Sequence, residues 1–508
     1  MKGQLSIIPR PASVEYREGS FQSSGLPLIK GDDIFHREIE TVNGQLLLDM
    51  ENSRIGSANE AEKPVLCIRD DEKAVNDEAY RLVISKENIT VKAASAKGIY
   101  HGLQTFRQLA LSEYQGEAFT LPCAEITDYP RFSWRGFMLD SARYFYSLPF
   151  IKRLIDVLSL HHISRFHWHL TDDQGWRLPV AEYPLLTEIG SRKQETRLPG
   201  LPYSGGFYSE GEIRELVDYA ASRHIEVIPE VDLPGHASAI LASYPGLGCT
   251  GGPYRVEDRF GILDEVLCAG NERIFDLAAS VFDALARLFP SPWVHIGGDE
   301  VLPGRWQACP KCQRRAAELG LQKPEELQSW ITRRLVSLLA ERGKAVVGWD
   351  EILDDSENYQ LPKETTIMSW RGSEGGVHAA KRGHPVIMSP NTNGCYLDYK
   401  HIDDPEEPGQ MFIGASSVYS SYTMDPVTPE MTEEEASRIL GGQCNLWSEL
   451  IYAGKIAEYM IFPRLCAIAE AVWTPREGKN FDDFSQRLPV HQKRLDRLGV
   501  LQYRGIIA

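Results

Sequence analysis

The sequence predicts an α/β protein built on a (β/α)8 TIM barrel, with a small N-terminal α+β domain and a C-terminal helical extension. Three observations carry this prediction. From Trp134 onward, short β-rich runs alternate with amphipathic helical stretches, and eight such units fit into roughly 340 residues. Every run ends in polar or aromatic residues, at the strand end where a barrel of this kind gathers its functional groups. The stretch Trp293–Glu300, WVHIGGDE, ends an apolar strand in two glycines and two adjacent acids. The implied segments are 1–130 for the α+β domain, 131–475 for the barrel and 476–508 for the extension.

Composition narrows the function classes. A chain of 508 residues has room for two or three domains, one of them a barrel. With 54 Lys+Arg against 71 Asp+Glu, the formal charge of −17 argues against nucleic acid as the main partner. No run approaches the ~18 apolar residues of a membrane span, and the start, MKGQLSIIPRPASVEY, has no apolar core of an export signal. A cytoplasmic location is the expectation, or a secreted one if a leader has been removed. Nine cysteines, an odd number, do not suggest a disulfide framework. Cys249 and Cys268 bracket a glycine-rich loop and are a candidate bridge. Cys309-Pro-Lys-Cys312 has the spacing of half a zinc site. No second Cys or His pair at ligand spacing follows it, which favours a structural turn at a helix start.

The elements follow in order. Tyr80–Ser85 and Ile89–Ala93 read as a hairpin around Lys86-Glu87-Asn88, and Ile99, Leu103, Phe106 and Leu109 line one face of a helix. Asp33, His36 and Glu38 are expected on a solvated surface. Asp128-Tyr129-Pro130 marks a boundary, because proline disfavours helix at the residue before it. The eight barrel strands are then Gly136–Asp140, Arg165–Leu170, Glu226–Val231, the Trp293 stretch, Ala345–Trp349, Thr366–Trp370, Pro385–Met388 and Cys444–Trp447. Between them, Ser147 and Pro149 start a helix striped with Ile151, Leu154, Ile155 and Leu158. Ser209 and Glu212 form a capping box, and Asn271–Phe289 is strongly amphipathic. A doubly wound open sheet is the alternative, but no Gly-x-Gly-x-x-Gly turn follows the first strand. The tail reads as a charged helix, with Leu488, Leu495 and Leu498 packing on the barrel.

The strand exits hold the candidate site. Arg143 follows the first strand, Asp172, Asp173 and Trp176 the second, Asp232 and His236 the third, Asp299 and Glu300 the fourth. Trp349 and Trp370 end the fifth and sixth, Tyr396 and Asp398 follow the seventh, and Trp447 and Glu449 the eighth. Taken alone, Asp299 and Glu300 read more readily as acids opening the next helix. Trp134 and Trp293 read as core. Three tryptophans beside carboxylates at barrel exits point to a carbohydrate pocket, since indole faces stack on the C–H faces of sugar rings.

These residues also carry a resemblance. LDSARYF around Arg143, HWHLTDDQGWR, PEVDLPGH, HIGGDEV, GWDE, SWRG, YLD and NLWSE are similar to the motifs of glycoside hydrolase family 20, the β-N-acetylhexosaminidases, over about 134–475. The resemblance implies exo-hydrolysis of terminal β-linked GlcNAc or GalNAc from a glycan or glycoconjugate. The substrate's own acetamido oxygen would attack C1, and this family is an exception to the two-carboxylate retaining scheme. Carried over by motif, Glu300 is the acid and base, Asp299 holds the acetamido group and its oxazolinium ion, and His236 with Asp172 orients Glu300. Trp349, Trp370 and Trp447 wall the acetamido methyl, Tyr396 bonds its carbonyl, and Arg143, Asp398 and Glu449 bind the far hydroxyls. One departure stands out: no tryptophan lies between Trp370 and Trp447, where many members stack the next sugar, and Tyr396, Tyr399, Tyr419 and Tyr422 are what the interval offers. No cofactor or metal is expected; His167 and His169 share a strand face, but no His-Glu-x-x-His cluster accompanies them. A non-catalytic sugar-binding protein and a transglycosylase using the same residues are the alternative readings.

Overall fold

The fold is described from a computed structural model, in which residues 5–53, 63–70, 74–114, 118–196, 203–354 and 359–506 are described. The N-terminal unit is a six-stranded sheet in the order Ser13–Ser23, Phe119–Asp128, Tyr80–Ile84, Ile89–Ala93, Val65–Arg69, Ile29–Gly31. The expected hairpin pairs Ile84 with Ile89 and Arg81 with Lys92. Helix Ala96–Glu113 lies between this sheet and the barrel, which is why it is buried from Gly98 to Leu111 rather than along one stripe. Its Gln108 amide donates to the Leu160 carbonyl at 3.0 Å, on the first helix of the barrel.

Strand Phe119–Asp128 ends at the seam, where buried Asp128 accepts from Tyr80 Oη at 2.8 Å and Trp473 Nε1 at 3.1 Å. Beyond it, Trp134–Asp140, Arg165–His169, Glu226–Glu230, Trp293–His295, Ala345–Trp349, Thr366–Ser369, Val386–Met388 and Ile439–Leu446 close into a parallel barrel. Closure is made by the last strand on the first, with Gly441 opposite Trp134 and Leu446 opposite Leu139. All eight expected strands are present; the last starts earlier than its apolar run suggested, because Gly441 and Gly442 dilute the apolar signal there, and the first starts two residues earlier, at Trp134. Gly441 has φ +150°, and a Cβ on it would lie 1.9 Å from the Trp134 carbonyl.

The capping box is complete, with Glu212 N to Ser209 Oγ at 3.2 Å and Ser209 N to Glu212 Oε2 at 2.8 Å. Apolar side chains Ile228, Val347, Met368 and Ile387 fill the barrel with Trp134 and Trp349, and Trp134 meets Trp293 edge to face at 5.7 Å. Core positions thus account for Trp134 and Trp293, as expected. No helix among the described residues is long and apolar enough to cross a membrane.

One expectation is corrected and one is extended. Glu38 is buried, and its carboxylate takes His224 Nε2 at 3.0 Å from the barrel, while Asp33 and His36 are exposed. The C-terminal helix, Phe481–Arg497, packs on the barrel and on the N-terminal unit together. Arg487 Nη2 donates to Glu470 at 2.7 Å and Arg487 Nη1 to the Ile7 carbonyl at 2.6 Å, while Arg494 Nε reaches Ser112 Oγ at 2.6 Å.

Candidate active site

At the C-terminal mouth of the barrel lies a cavity of about 430 Å³. Its walls include Arg143, His236, Asp299, Glu300, Trp349, Trp370, Tyr396, Asp398, Trp447 and Glu449. Ten of the eleven candidate residues therefore meet in one pocket. The eleventh, Asp172, stands directly behind it against His236.

The acid pair is placed by an unusual backbone. After strand Trp293–His295, Gly297 and Gly298 take φ +64° and +93°, and Glu300 takes φ +53°. A non-glycine residue in the left-handed region carries local strain, and such strain concentrates at functional sites. The following helix, Gly304–Ala308, begins beyond the acids, so they do not serve as its first turn. Gly297 is required sterically as well, because a Cβ there would stand 2.0 Å from Asp232 Oδ1. That same oxygen accepts the Gly298 N–H at 2.9 Å. Asp232 thus ties the third strand exit to the turn that carries the acid pair, a role the sequence did not single out.

His236, also left-handed at φ +46°, links two pairs of carboxylates. Its Nδ1 lies 3.1 Å from Asp172 Oδ1 and 3.3 Å from Asp173 Oδ2, and its Nε2 lies 3.6 Å from both Asp299 and Glu300. Burial opposes a charge on this imidazole, but the surrounding Asp172, Asp173 and Asp299 outweigh it and hold its pKa well above the usual histidine value. Burial would equally raise Asp172; Arg143 and His236, with a hydrogen bond from His169, keep it far below the carboxylate range instead. Asp299 behaves oppositely. Burial and the adjacent Asp232 push its carboxyl well above the ordinary value, with His236 opposing them, and Asp232 itself is raised to about 6 by burial.

Across the pocket, Arg143 is a hub. It reaches Asp172 at 3.0 Å, Gln174 at 3.1 Å and Glu449 at 3.7 Å, and its guanidinium lies over Trp447 at 4.9 Å. Burial, then the neighbouring Glu449, raises Asp398; burial raises Glu449, against the pull of Arg143. Three buried side-chain atoms on the pocket wall have no hydrogen-bond partner among the described residues: His236 Nε2, Asp299 Oδ1 and Asp398 Oδ1. Buried polar atoms are rarely left so, and here all three belong to residues that line one cavity.

The aromatic wall is braced from beneath. Trp349 Nε1 donates to Glu230 at 3.0 Å, and Trp370 Nε1 to Glu351 at 2.8 Å. Glu230 lies in the barrel interior among His167, His169 and His295, which answers what the H-W-H strand face is turned toward. Burial and the nearby Asp299 raise Glu351 to about 9. Trp349 and Trp447 stand 5.8 Å apart, and Trp370 stacks on Tyr396 at 6.2 Å and 13°. Of the other tyrosines in that interval, Tyr399 lines the pocket, whereas Tyr419 and Tyr422 pack on Phe481 of the C-terminal helix. The aromatic pair at the mouth is Phe260 and Phe412, stacked at 5.4 Å and 15° and 37% and 69% exposed. They come from two long loops without an apolar periodicity, so nothing in the sequence marked them.

The cysteines depart from expectation. All nine are free, so Cys249 and Cys268 are not bridged. Cys309 and Cys312 do not stand alone at a helix start either: Cys249 and Cys268 fold against them.

A barrel with an acid pair at the end of its fourth strand, set in an aromatic pocket, has the arrangement of a carbohydrate-active site. The chain belongs to glycosyl hydrolase family 20: residues 132–476 match the family's catalytic domain and residues 4–129 its domain 2. It is 41% identical to a β-hexosaminidase of Porphyromonas gingivalis over 84% of its length, and spans 54% of that relative. It is 32% identical to a β-hexosaminidase of Akkermansia muciniphila, covering 92% of this chain and 94% of that one. Among solved structures, it matches a family 20 exo-β-N-acetylglucosaminidase of Vibrio harveyi in complex with N-acetylglucosamine. The TM-score is 0.86 at 32% identity, over 98% of this chain and 78% of that one.

Proposed function

We propose that this protein is an exo-acting β-N-acetylhexosaminidase. It releases terminal β-linked GlcNAc or GalNAc with retention, and the substrate's acetamido oxygen is the nucleophile. The observation that carries this reading is the position of Asp299. Asp299 lines the pocket, and its buried Oδ1 has no hydrogen-bond partner among the described residues, beside a Glu300 carboxyl that shares the same histidine. An acceptor so placed suits an acetamido N–H. Glu300 is then the group that protonates the leaving oxygen and later activates water.

The order of events follows from the side chains. The indoles of Trp349, Trp370 and Trp447 enclose the acetamido methyl, and Tyr396 donates to its carbonyl oxygen. Asp299 accepts the N–H, which turns that oxygen toward C1; the positive charge that develops on the acetamido group as the C1–O bond breaks favours the ionised form of this carboxyl, which burial and Asp232 hold back in the empty pocket, and the carboxylate then steadies the oxazolinium ion. His236, held charged by Asp172 and Asp173, fixes both acids from behind. Arg143, Asp398 and Glu449 take the hydroxyls of the non-reducing end, closing the pocket so that only a terminal sugar enters. The family match and the hexosaminidase relatives support the substrate class.

The test is leaving-group dependence. Glu300→Gln is expected to lower kcat/KM by about 10²–10⁴ on glycosides with basic leaving groups and by much less on aryl glycosides that need no proton. Equal losses across the series would remove Glu300 from the role of acid.

A further inference from the structure

Four cysteines converge some way from the reaction chemistry. Cys249 and Cys268 flank an 18-residue loop, and Cys309 and Cys312 sit at the start of helix Pro310–Glu318. The Sγ atoms of Cys249 and Cys312 are 3.8 Å apart, those of Cys268 and Cys309 3.9 Å, and those of Cys268 and Cys312 3.6 Å. All four lie within 4.8 Å of one another. A disulfide needs about 2.05 Å between sulfurs, so no pair is bridged at these distances. A regular tetrahedron with a Zn–S bond of about 2.3 Å has an edge of about 3.8 Å. Three of the six separations, 3.6, 3.8 and 3.9 Å, bracket that edge, and the others stay within 4.8 Å.

The backbone around the cluster is shaped to hold it. Gly270, two residues after Cys268, packs so closely on the turn between Cys309 and Cys312 that a Cβ would stand 2.3 Å from the Lys311 carbonyl carbon. Cys309 is the N-cap of its helix and makes no capping hydrogen bond through its side chain. A helix N-terminus favours a thiolate, the form in which cysteine binds metal. Cys268, Cys309 and Cys312 are buried and Cys249 is half-buried, which leaves a shielded interior for an ion.

We infer that Cys249, Cys268, Cys309 and Cys312 form a tetrathiolate site for a structural zinc ion. Four thiolate ligands complete a tetrahedral shell and leave no open position for a substrate, so the site is a clamp. Binding releases the thiol protons to solvent and involves no change of redox state.

What the clamp holds is the rim of the pocket. Apart from the Gly248–Leu267 bridge pair at its base, the loop has no regular structure, yet it delivers Phe260, Gly261 and Ile262 to the pocket wall. Its other anchors include Glu257 N to the Asp173 carbonyl at 3.0 Å, the Arg259 carbonyl to Gln174 Nε2 at 2.9 Å, Leu267 N to the Pro234 carbonyl at 3.0 Å, the Leu267 carbonyl to Trp306 Nε1 at 2.9 Å and the Glu265–Arg305 ion pair, most of them towards the loop's ends. Joining both loop ends to helix Pro310–Glu318 fixes the span over which Phe260 meets Phe412.

The experiment uses the full chain, purified without chelator from cells grown with added zinc. Elemental analysis and native mass spectrometry are expected to give one zinc per chain, with all thiols reduced. Cys309→Ser/Cys312→Ser is expected to bring zinc to background, while Cys123→Ser, outside the cluster, keeps it. Stripping the metal with a mercurial reagent and a chelator is expected to speed tryptic cleavage at Arg255 and Arg259 by about tenfold or more, because a loop freed at its base opens more often. The wild-type metal content decides the matter even if the double variant does not fold. Protein that carries no zinc and takes up none after reduction and addition of Zn²⁺ overturns the site. So does an intact mass two hydrogens lighter with a mapped disulfide among these cysteines, and iron in place of zinc overturns the choice of ion.

Discussion

Gly297→Ala, set beside Gly343→Ala, separates the strain of the catalytic turn from its steric demand. Both glycines are left-handed, at φ +64° and +69°. A Cβ at Gly343 meets nothing within 4 Å, whereas at Gly297 it would lie 2.0 Å from Oδ1 and 2.1 Å from Cγ of Asp232. Gly343→Ala should therefore cost only the left-handed penalty, about 1–2 kcal/mol. Gly297→Ala carries the same penalty and must also displace a buried carboxylate. Overpacking of this kind adds about 1–3 kcal/mol. Asp232 accepts the Gly298 N–H and stands against Asp299, so its displacement should disturb the acid pair as well. Denaturation midpoints and kcat on a nitrophenyl β-GlcNAc glycoside, measured for both variants, supply the comparison. The expected pattern is a mild loss of stability with normal turnover for Gly343→Ala, and a larger loss of both for Gly297→Ala. Equal destabilisation, with kcat intact in each, would refute the coupling of Asp232 to the acid pair.

Two further outcomes follow from the geometry. Glu78 joins the N-terminal unit to the barrel through Arg135 Nη1 at 3.3 Å and holds His101 Nε2 at 3.0 Å; burial would raise its carboxyl, but the Arg135 charge keeps it far below the usual range. Its contribution is thus full above the unfolded value near 4.3 and is lost as pH falls through the folded value. Glu78→Gln should cost about 3–5 kcal/mol at neutral pH, since it strands the fully buried Arg135, and the difference between the two proteins should begin to shrink below about pH 4 and keep shrinking as the pH falls further. Phe412→Ala should raise KM for a β-linked chitooligosaccharide by about two- to twelvefold, from a stacking contribution of about 0.5–1.5 kcal/mol. Turnover of a methyl β-glycoside, whose leaving group is too small to reach the ring pair, should not change; an unaltered oligosaccharide KM would take the pair out of the leaving-group site.

Much of this molecule was legible in its sequence because barrels repeat a simple code. Each strand is an apolar run, and each exit displays what the site needs, so the sequence alone sets Arg143, His236, Asp299 and Trp447 at one mouth. What escaped was carried by long-range contacts. Glu38 reads as a helix-surface acid until His224 of another unit is seen beside it. Asp232 acts through a glycine 65 positions away, an approach that spacing cannot reveal. Cys249 and Cys268 are too far apart to look like a ligand pair, and only the fold sets them against Cys309 and Cys312. Phe260 and Phe412 belong to loops whose paths no periodicity describes. The strand Ser13–Ser23 was missed for a different reason: mostly exposed and rich in charge, it lacks the apolar alternation of a half-buried strand.

The central claim is that the sugar supplies its own nucleophile. The most direct measurement compares release of nitrophenol from the β-GlcNAc glycoside with release from the β-glucoside, which lacks the acetamido group. Hydrolysis of the first without the second is the predicted result, because Asp299 has an acetamido group to turn toward C1 only in the first. Equal hydrolysis of both would place a nucleophile on the protein and contradict the role given to Asp299.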